Sequence, residues 1–272
     1  PGGLLSAGGR PGSMITSPGI NCKKNVRRRL PLPGKYGMMS ATQDEREAEP
    51  IMIDVFDIMG PIMVGPSSSH TAGAVRIGRM ARTLLGEEPA AAALHLHGSF
   101  AETGVGHGTD KALIAGLLGL SPDDMDIPSS FEIAANRGMK FSFDETDLRD
   151  AHPNSVKMEV TGVSGRLLKM QASSTGGGRI RVDKLDGVYV SFSGDYHTLI
   201  VQHMDNQGNL ANVTNALALA RVNVANMSLH RSSKGGNVMM IIETDDPMPD
   251  AIVALIEKQP GILQVIHYRR EI

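Results

Sequence analysis

The stretch "HTLIVQHMDNQGNLANVTNALALARV", His197 to Val222, decides the fold. An apolar run of strand length leads through a Gly-containing turn into a helical segment. Downstream, "NVANMSLHRS" and "GNVMMIIETD" read as two strands, "PDAIVALIEK" as a helix and "GILQVIHYRR" as a last strand. The predicted order over residues 197–270 is βαββαβ, with both helices on one face of an antiparallel sheet. Residues 195–272 are therefore expected to form a domain of their own.

Upstream, the pattern becomes regular from Ile51. "IMIDVFDIMGPIMV" is apolar with a Gly-Pro break. "TAGAVRIGRMARTLLG" sets Val75, Ile77, Met80 and Leu84 at near-helical spacing and closes on Gly86, so a helix is predicted to begin directly after the loop "VGPSSSH". "AAALHLHGSF" alternates like a strand running into a turn, and "GTDKALIAGLLGL" predicts a second helix with Thr109 or Asp110 near its N-cap. "FEIAANRGMKFSF", "VKMEVTG" and "LLKMQASSTGGGRIRVDKLDGVYVSF" read as strands joined by Gly-rich turns. Residues 50–194 thus form an N-terminal domain of mixed α/β elements, and the fold class of the whole chain is α+β.

Residues 1–49 hold Gly-Gly, Pro-Gly and Ser-Pro breakers, a basic cluster at Lys23, Lys24, Arg27, Arg28 and Arg29, and no periodicity. Such a leader is expected to be disordered, and its basic cluster reads as a solvated tail. An opening Pro1 in place of Met is expected of a cloning remnant or of a start assigned too far upstream.

Composition narrows the function. At 272 residues and 41% hydrophobic content the chain can bury a real core. A net charge of -2 gives no bulk field for nucleic acid or an anionic membrane, so small molecules or proteins are the expected partners. The lone cysteine, Cys22, excludes an internal disulfide framework and any metal centre held only by this chain's thiolates. No apolar run approaches the roughly 18 residues that cross a bilayer, and no signal peptide is legible, so the reading is cytoplasmic. Nine histidines are present with no HExxH-type spacing, which disfavours a metal hydrolase.

Five segments could carry chemistry. In "VGPSSSHTAG", Ser67, Ser68, Ser69, His70 and Thr71 follow a Gly-Pro turn and precede a helix, which aims hydroxyls and free N–H groups at one point. That suits a carboxylate or phosphate better than a nucleophile, the alternative being an ordinary N-cap with surplus serine. His107 lies between Gly106 and Gly108, where a flexible backbone can bring an imidazole to a ligand, with Asp110 able to orient it; a plain loop residue is the alternative. In "AHPNS", Pro153 pushes His152 toward extended backbone and Asn154 adds an amide, a pair that either grips substrate or caps a turn. "SSTGGGRI" offers Ser173, Gly176 and Gly177 as an anion nest or as a bulged hairpin, and lacks the order of a nucleotide P-loop. In "DNQGNLANV", Asp205, Gly208, Asn209 and Leu210 form a turn and helix start that could hold a small zwitterion, or only cap the helix.

"VFDIMGPIMVGPSSSHTAGAVRIGRMAR", "HGSFAETGVGHGTDKALIAG", "AHPNS" and "SSTGGGRI", in this order and followed by a ferredoxin-like unit, resemble the β subunit of bacterial iron-sulfur-dependent L-serine dehydratase, an L-serine ammonia-lyase, with a C-terminal ACT domain. The resemblance covers about residues 51–272. It implies deamination of L-serine to pyruvate and ammonia without pyridoxal phosphate, using a [4Fe-4S] cluster whose cysteines belong to a separate α subunit. It further implies His107 and His152 as acid/base groups with Asn154 positioning, and Ser67 to Thr71 as the grip on the substrate carboxylate. An imidazole suits that task because its ordinary pKa, about 6.5, lies near working pH. The ACT resemblance implies a regulatory or dimerising role for the last domain. The first domain also resembles the allosteric substrate-binding domain of some phosphoglycerate dehydrogenases, which keeps a non-catalytic, amino-acid-binding regulatory subunit open as the alternative.

Overall fold

The computed structural model describes residues 62–270. The leader with Cys22 and residues 51–61 of the first apolar stretch lie outside the described residues.

The chain enters through a π-helical turn, Ser68–Ala72, that runs straight into helix α1, Gly73–Leu85. The serine-histidine segment is therefore the wide first turn of the helix, where a loop was expected. Strand β1 (Pro89–His97), helix α2 (Ser99–His107), helix α3 (Thr109–Leu117), a 3₁₀ turn (Ile127–Ser129) and helix α4 (Ser130–Asn136) follow. Then come β2 (Lys140–Glu145), β3 (Ser155–Gly162), β4 (Leu167–Gly176), β5 (Arg179–Leu185) and β6 (Val188–Phe192). These six strands form one sheet of order β2-β1-β3-β4-β5-β6, in which only β1 and β2 are parallel neighbours.

Other predicted segments differ as well. "FEIAAN" is helix α4, not strand, and only "KFSFDE" after Gly138 extends as β2. Tertiary contacts override the β-leaning of Phe and Ile there: Ala134 is buried, Ser130 donates to the Lys111 carbonyl at 2.8 Å, and the Phe131 ring lies 4.9 Å from that of Phe141. Residues 99–107, predicted as a turn and Gly-rich loop, wind into α2 despite Gly104 and Gly106. The N-cap of α3 is Gly108 and not Thr109 or Asp110; Thr109 is already inside the helix and fully buried.

One face of this sheet is dry and the other wet. Val156, Met158 and Val160 of β3 face the core beneath α1, while Lys157 and Glu159 between them pair at 3.0 Å on the outer face. Helix α1 crosses α3 backbone to backbone. A Cβ on Gly78 would lie 2.8 Å from the Leu117 nitrogen and run into the Leu113 carbonyl, and one on Gly116 would lie 2.8 Å from the Arg79 nitrogen and run into the Val75 carbonyl.

The second sheet is built from β7 (His197–Met204), helix α5 (Asn209–Leu219), β8 (Val224–Arg231), β9 (Asn237–Thr244), helix α6 (Asp250–Glu257) and β10 (Ile262–Tyr268). All its pairings are antiparallel, in the order β10-β7-β9-β8, which is the ferredoxin-like arrangement. Its two central strands are buried on both faces. Leu199, Val201, Met240 and Ile242 pack with Val213, Leu217 and Ile256 of the helices. Ile200, Met239 and Ile241 turn the other way, into the core of the first sheet. Among the described residues no helix is long and apolar enough to cross a membrane.

Backbone carbonyls cannot swing aside for a new side chain, so Gly78→Val or Gly116→Val is expected to destabilise the protein by about 1–3 kcal/mol, read as a lower urea midpoint at unchanged slope.

Candidate functional site

Strand register brings the separate motifs to one end of the first sheet. His97 at the end of β1 pairs with Ser155 at the start of β3, and Ser155 pairs with Ser173 near the end of β4. The chain therefore leaves β1 into α2, enters β3 from "AHPN" and leaves β4 into the glycines at the same place. The π turn closes over that end: a Cβ on Gly73 would strike the Ser174 hydroxyl and lie 2.8 Å from its Cβ, so only glycine lets the helix start approach β4 this closely.

Ser67 is the N-cap of the turn, with extended backbone (φ -142°, ψ 127°) and a hydroxyl that accepts from the His70 N–H at 3.1 Å. The Ser68 carbonyl accepts from the Gly73 N–H. The wide turn carries His70 inward. Its Nδ1 lies 3.1 Å from Ser69 Oγ and 3.5 Å from Ser67 Oγ, and its Nε2 lies 3.0 Å from Ser99 Oγ and 3.1 Å from Thr103 Oγ1. Phe100 stands edge-on at 5.4 Å, and the His107 ring is 4.9 Å away. Thr71 donates to the His107 carbonyl at 3.2 Å, tying the turn to the end of α2. Burial pushes the His70 pKa below its ordinary 6.5, charge on His107 pushes it the same way, and the Ser99 backbone opposes both.

The other predicted residues fall around this centre. His152 and Asn154 form a turn in which the Asn154 N–H donates to His152 Nδ1 at 3.1 Å and Ser155 Oγ donates to the His152 carbonyl at 2.6 Å. That turn is held to β4 by the Ser174 N–H, which donates to the Asn154 carbonyl at 2.9 Å, and to the head of α2 by the close packing of Gly98 on Pro153. Ser173 turns away and donates to Asp183 at 3.0 Å. Gly176 closes β4, and Gly177 and Gly178, both at positive φ, make the hairpin turn to β5; the Gly178 carbonyl accepts from Arg76 at 3.1 Å. Three buried polar atoms beside the π turn have no hydrogen-bond partner among the described residues: His107 Nδ1, Thr109 Oγ1 and Ser174 Oγ. Each such group costs about 1–3 kcal/mol when left unpaired, so these three atoms are positions that an ordered water or a bound ligand would satisfy.

In the second sheet, the Asp205 carboxylate accepts from Arg231 at 3.1 Å and from the Gly235 N–H at 2.9 Å, and that backbone donor is the first cause of its lowered pKa. Gly208 caps α5 at φ 92°, Asn209 is buried and donates to the Met204 carbonyl at 2.9 Å, and Leu210 is exposed. These four residues stand apart from the centre around His70 in sequence and in sheet.

Ser99, Thr103 and Ser174 were not singled out by sequence. The signal was there for two of them: Ser99, Thr103 and His107 recur every four residues, one face of a helix, once "SFAETGVGH" is read as helical. The described residues hold no cysteine and no group of three or more metal-ligating side chains.

Residues 53–184 match the family model described as serine dehydratase beta chain. The chain is 43% identical over 211 residues to a probable L-serine dehydratase, beta chain, of Bacillus subtilis, covering 78% of this chain and 96% of the relative. It is 37% identical over 202 residues to the L-serine dehydratase, beta chain, of Peptoniphilus asaccharolyticus, covering 74% and 91%. A D-3-phosphoglycerate dehydrogenase of Bacillus subtilis is 26% identical over 156 residues, 57% of this chain and 30% of that one.

Burial also lowers the pKa of His267. For both histidines the unfolded chain takes up protons first, at its ordinary pKa near 6.5, so stability is full above that value and is lost as pH falls below it. Urea midpoints are expected to drop between about pH 7 and 5, and less steeply in His70→Asn than in the parent chain.

Proposed function

Because the chain belongs to the serine dehydratase β-chain family, we propose that it builds the substrate-binding and proton-transferring half of an L-serine ammonia-lyase whose second half is an α subunit. The reaction removes the α-proton and the β-hydroxyl of L-serine; the resulting aminoacrylate tautomerises and hydrolyses to pyruvate and ammonia. The observation that carries this reading is the convergence of the π turn, the end of α2, the His152–Asn154 turn and Ser174 at one end of the sheet, with three orphaned buried polar atoms among them.

Substrate carboxylate would lie over the π turn between Ser67 and Thr71, where the Ser68 hydroxyl and the unpaired N–H groups of a helix start favour negative charge. His107 and His152 would hold and move the protons, with Asn154 fixing the position of His152 through its backbone N–H. The described residues offer no ligand set for an iron-sulfur cluster. We place the [4Fe-4S] cluster and its cysteines on the α subunit, and the complex in the cytoplasm. Residues 50–194 would be the dehydratase-type domain. Residues 195–272 would serve as an ACT-type regulatory domain, with Asp205, Gly208, Asn209 and Leu210 at its ligand turn and self-association through its surface.

The match to a phosphoglycerate dehydrogenase favours a second reading, a regulatory subunit in which the same turn senses an anion without catalysis. The two separate in anaerobic pyruvate formation from L-serine by this chain mixed with a cysteine-bearing α partner. Under the lyase reading neither chain turns over alone, and His107→Ala or His152→Ala lowers kcat by about 100-fold or more at unchanged circular dichroism. Full activity of the α partner alone, altered only in its ligand response by these substitutions, establishes the regulatory reading instead.

A further inference from the structure

The proton inventory around His70 is determined by its neighbours. Thr103 is helical, and its hydroxyl donates to the Ser99 carbonyl four residues back at 2.8 Å. A hydroxyl has one proton, so toward His70 Nε2, 3.1 Å away, Thr103 presents lone pairs alone. Nε2 must then carry the ring proton. In the neutral ring Nδ1 bears the lone pair, and it faces Ser69 Oγ at 3.1 Å. Ser69 donates its proton there and becomes an acceptor on its other side, where Ser67, 3.3 Å away, donates in turn. Ser67 Oγ already accepts from the His70 N–H, so the chain of polar groups is satisfied from end to end.

We infer that Thr103, backed by Ser99, is a positioning residue that fixes His70 as the Nε2–H tautomer, making His70 Nδ1 the base of the pair and the Ser69 oxygen the group it presents to substrate. Two consequences distinguish this from a plain anion grip. Ser69 offers a lone pair and not a proton to a bound carboxylate, and since the Ser67 proton goes to Ser69 and the Thr71 proton to the His107 carbonyl, the donors of the grip reduce to Ser68 and the backbone. A substrate ammonium or hydroxyl, each carrying protons, fits against Ser69 where a carboxylate oxygen does not. The groups packed on the ring are the hydroxyls of the π turn and α2, the Phe100 ring and His107, which is the titratable side chain facing it. No carboxylate is among these neighbours, so the tautomer rests on hydroxyls.

The kinetic half of the inference rests on the lyase reading; the tautomer does not. The first experiment is therefore ¹⁵N NMR of the histidine-labelled full-length chain, well above the ordinary histidine pKa. His70 is expected to show a protonated Nε2 and an unprotonated Nδ1. Thr103→Val, which removes the committed hydroxyl and leaves Ser99 free to donate or accept, should give a mixture of tautomers. Thr103→Ser and Ser99→Ala should keep the parent pattern, and these two variants carry the test if Thr103→Val does not fold. With the α partner, Thr103→Val is expected to lower kcat about tenfold or more with KM within about twofold, and to move the acid limb of the pH–rate profile, while Thr103→Ser restores it. A protonated Nδ1 in the parent chain, or a tautomer that Thr103→Val leaves unchanged, overturns the inference. Absence of lyase activity in the parent mixture, with the expected NMR pattern, overturns the lyase reading and leaves the tautomer standing.

Discussion

The contact on which the site depends is the approach of the α1 backbone to β4 at Gly73. With no side chain between them, the first turn of the helix lies directly on Ser174, and that turn has open π geometry before α1 settles into regular pitch. The open turn swings His70 under α2, where Ser99 and Thr103 receive its Nε2. A methyl group at residue 73 would separate helix from strand and remove the reason for every later contact. The same logic of bare backbone recurs one helix turn along α1. Gly78 against Gly116 fixes how close α3 can come, and Thr109 at the head of α3 is thereby held beside the π turn.

Helix α1 also belongs to both sheets. The π turn before it carries the candidate site, its middle adds buried Val75 and Ile77 to the core, and Met80 reaches the joint before the second sheet. At that joint a Cβ on Gly194 would lie 2.6 Å from Met80 Cε and 3.3 Å from the Tyr268 ring of β10. The inward face of the second sheet completes this core with Ile200, Met239 and Ile241. Dense packing transmits displacement, because side chains in a close-packed interior have no free volume to absorb it. A shift of β10 must therefore be taken up by Tyr268, Gly194 or α1 itself, and α1 begins directly after the π turn that carries His70.

Much of this was legible in the residues, and the failures have physical causes. The βαββαβ order could be read because each element carries its own period: β9 is continuously apolar from Val238 to Ile242 since it is buried on both faces, and Asp250–Glu257 repeats at helical spacing. Helix α4 was misread because Phe131 and Ile133 favour strands in isolation, while the ring of Phe131 is paid in contacts with Phe141 and Phe143 that only the folded chain supplies. Helix α2 was misread because two glycines inside nine residues argue for a loop, and short helices draw their stability from packing more than propensity. The site residues suffered in proportion. His70 and His107 stood out by composition, whereas Ser99 and Thr103 are ordinary until the helix places them four apart beneath an imidazole.

That dependence explains the chemistry of the pocket as well as its concealment. A buried histidine flanked by a carboxylate is held charged and acts as an acid; one flanked by hydroxyls, and by a second imidazole 4.9 Å away, is held neutral. Hydroxyls add no charge of their own, so they set the direction of the ring's proton without raising its pKa as a carboxylate would. Serine and threonine are thus the residues a chain needs in order to bury a neutral base of defined tautomer. Such a pattern carries no charge signature in the sequence, and it becomes visible only when strand register and helix pitch bring Ser67, Ser69, Ser99 and Thr103 to the same ring.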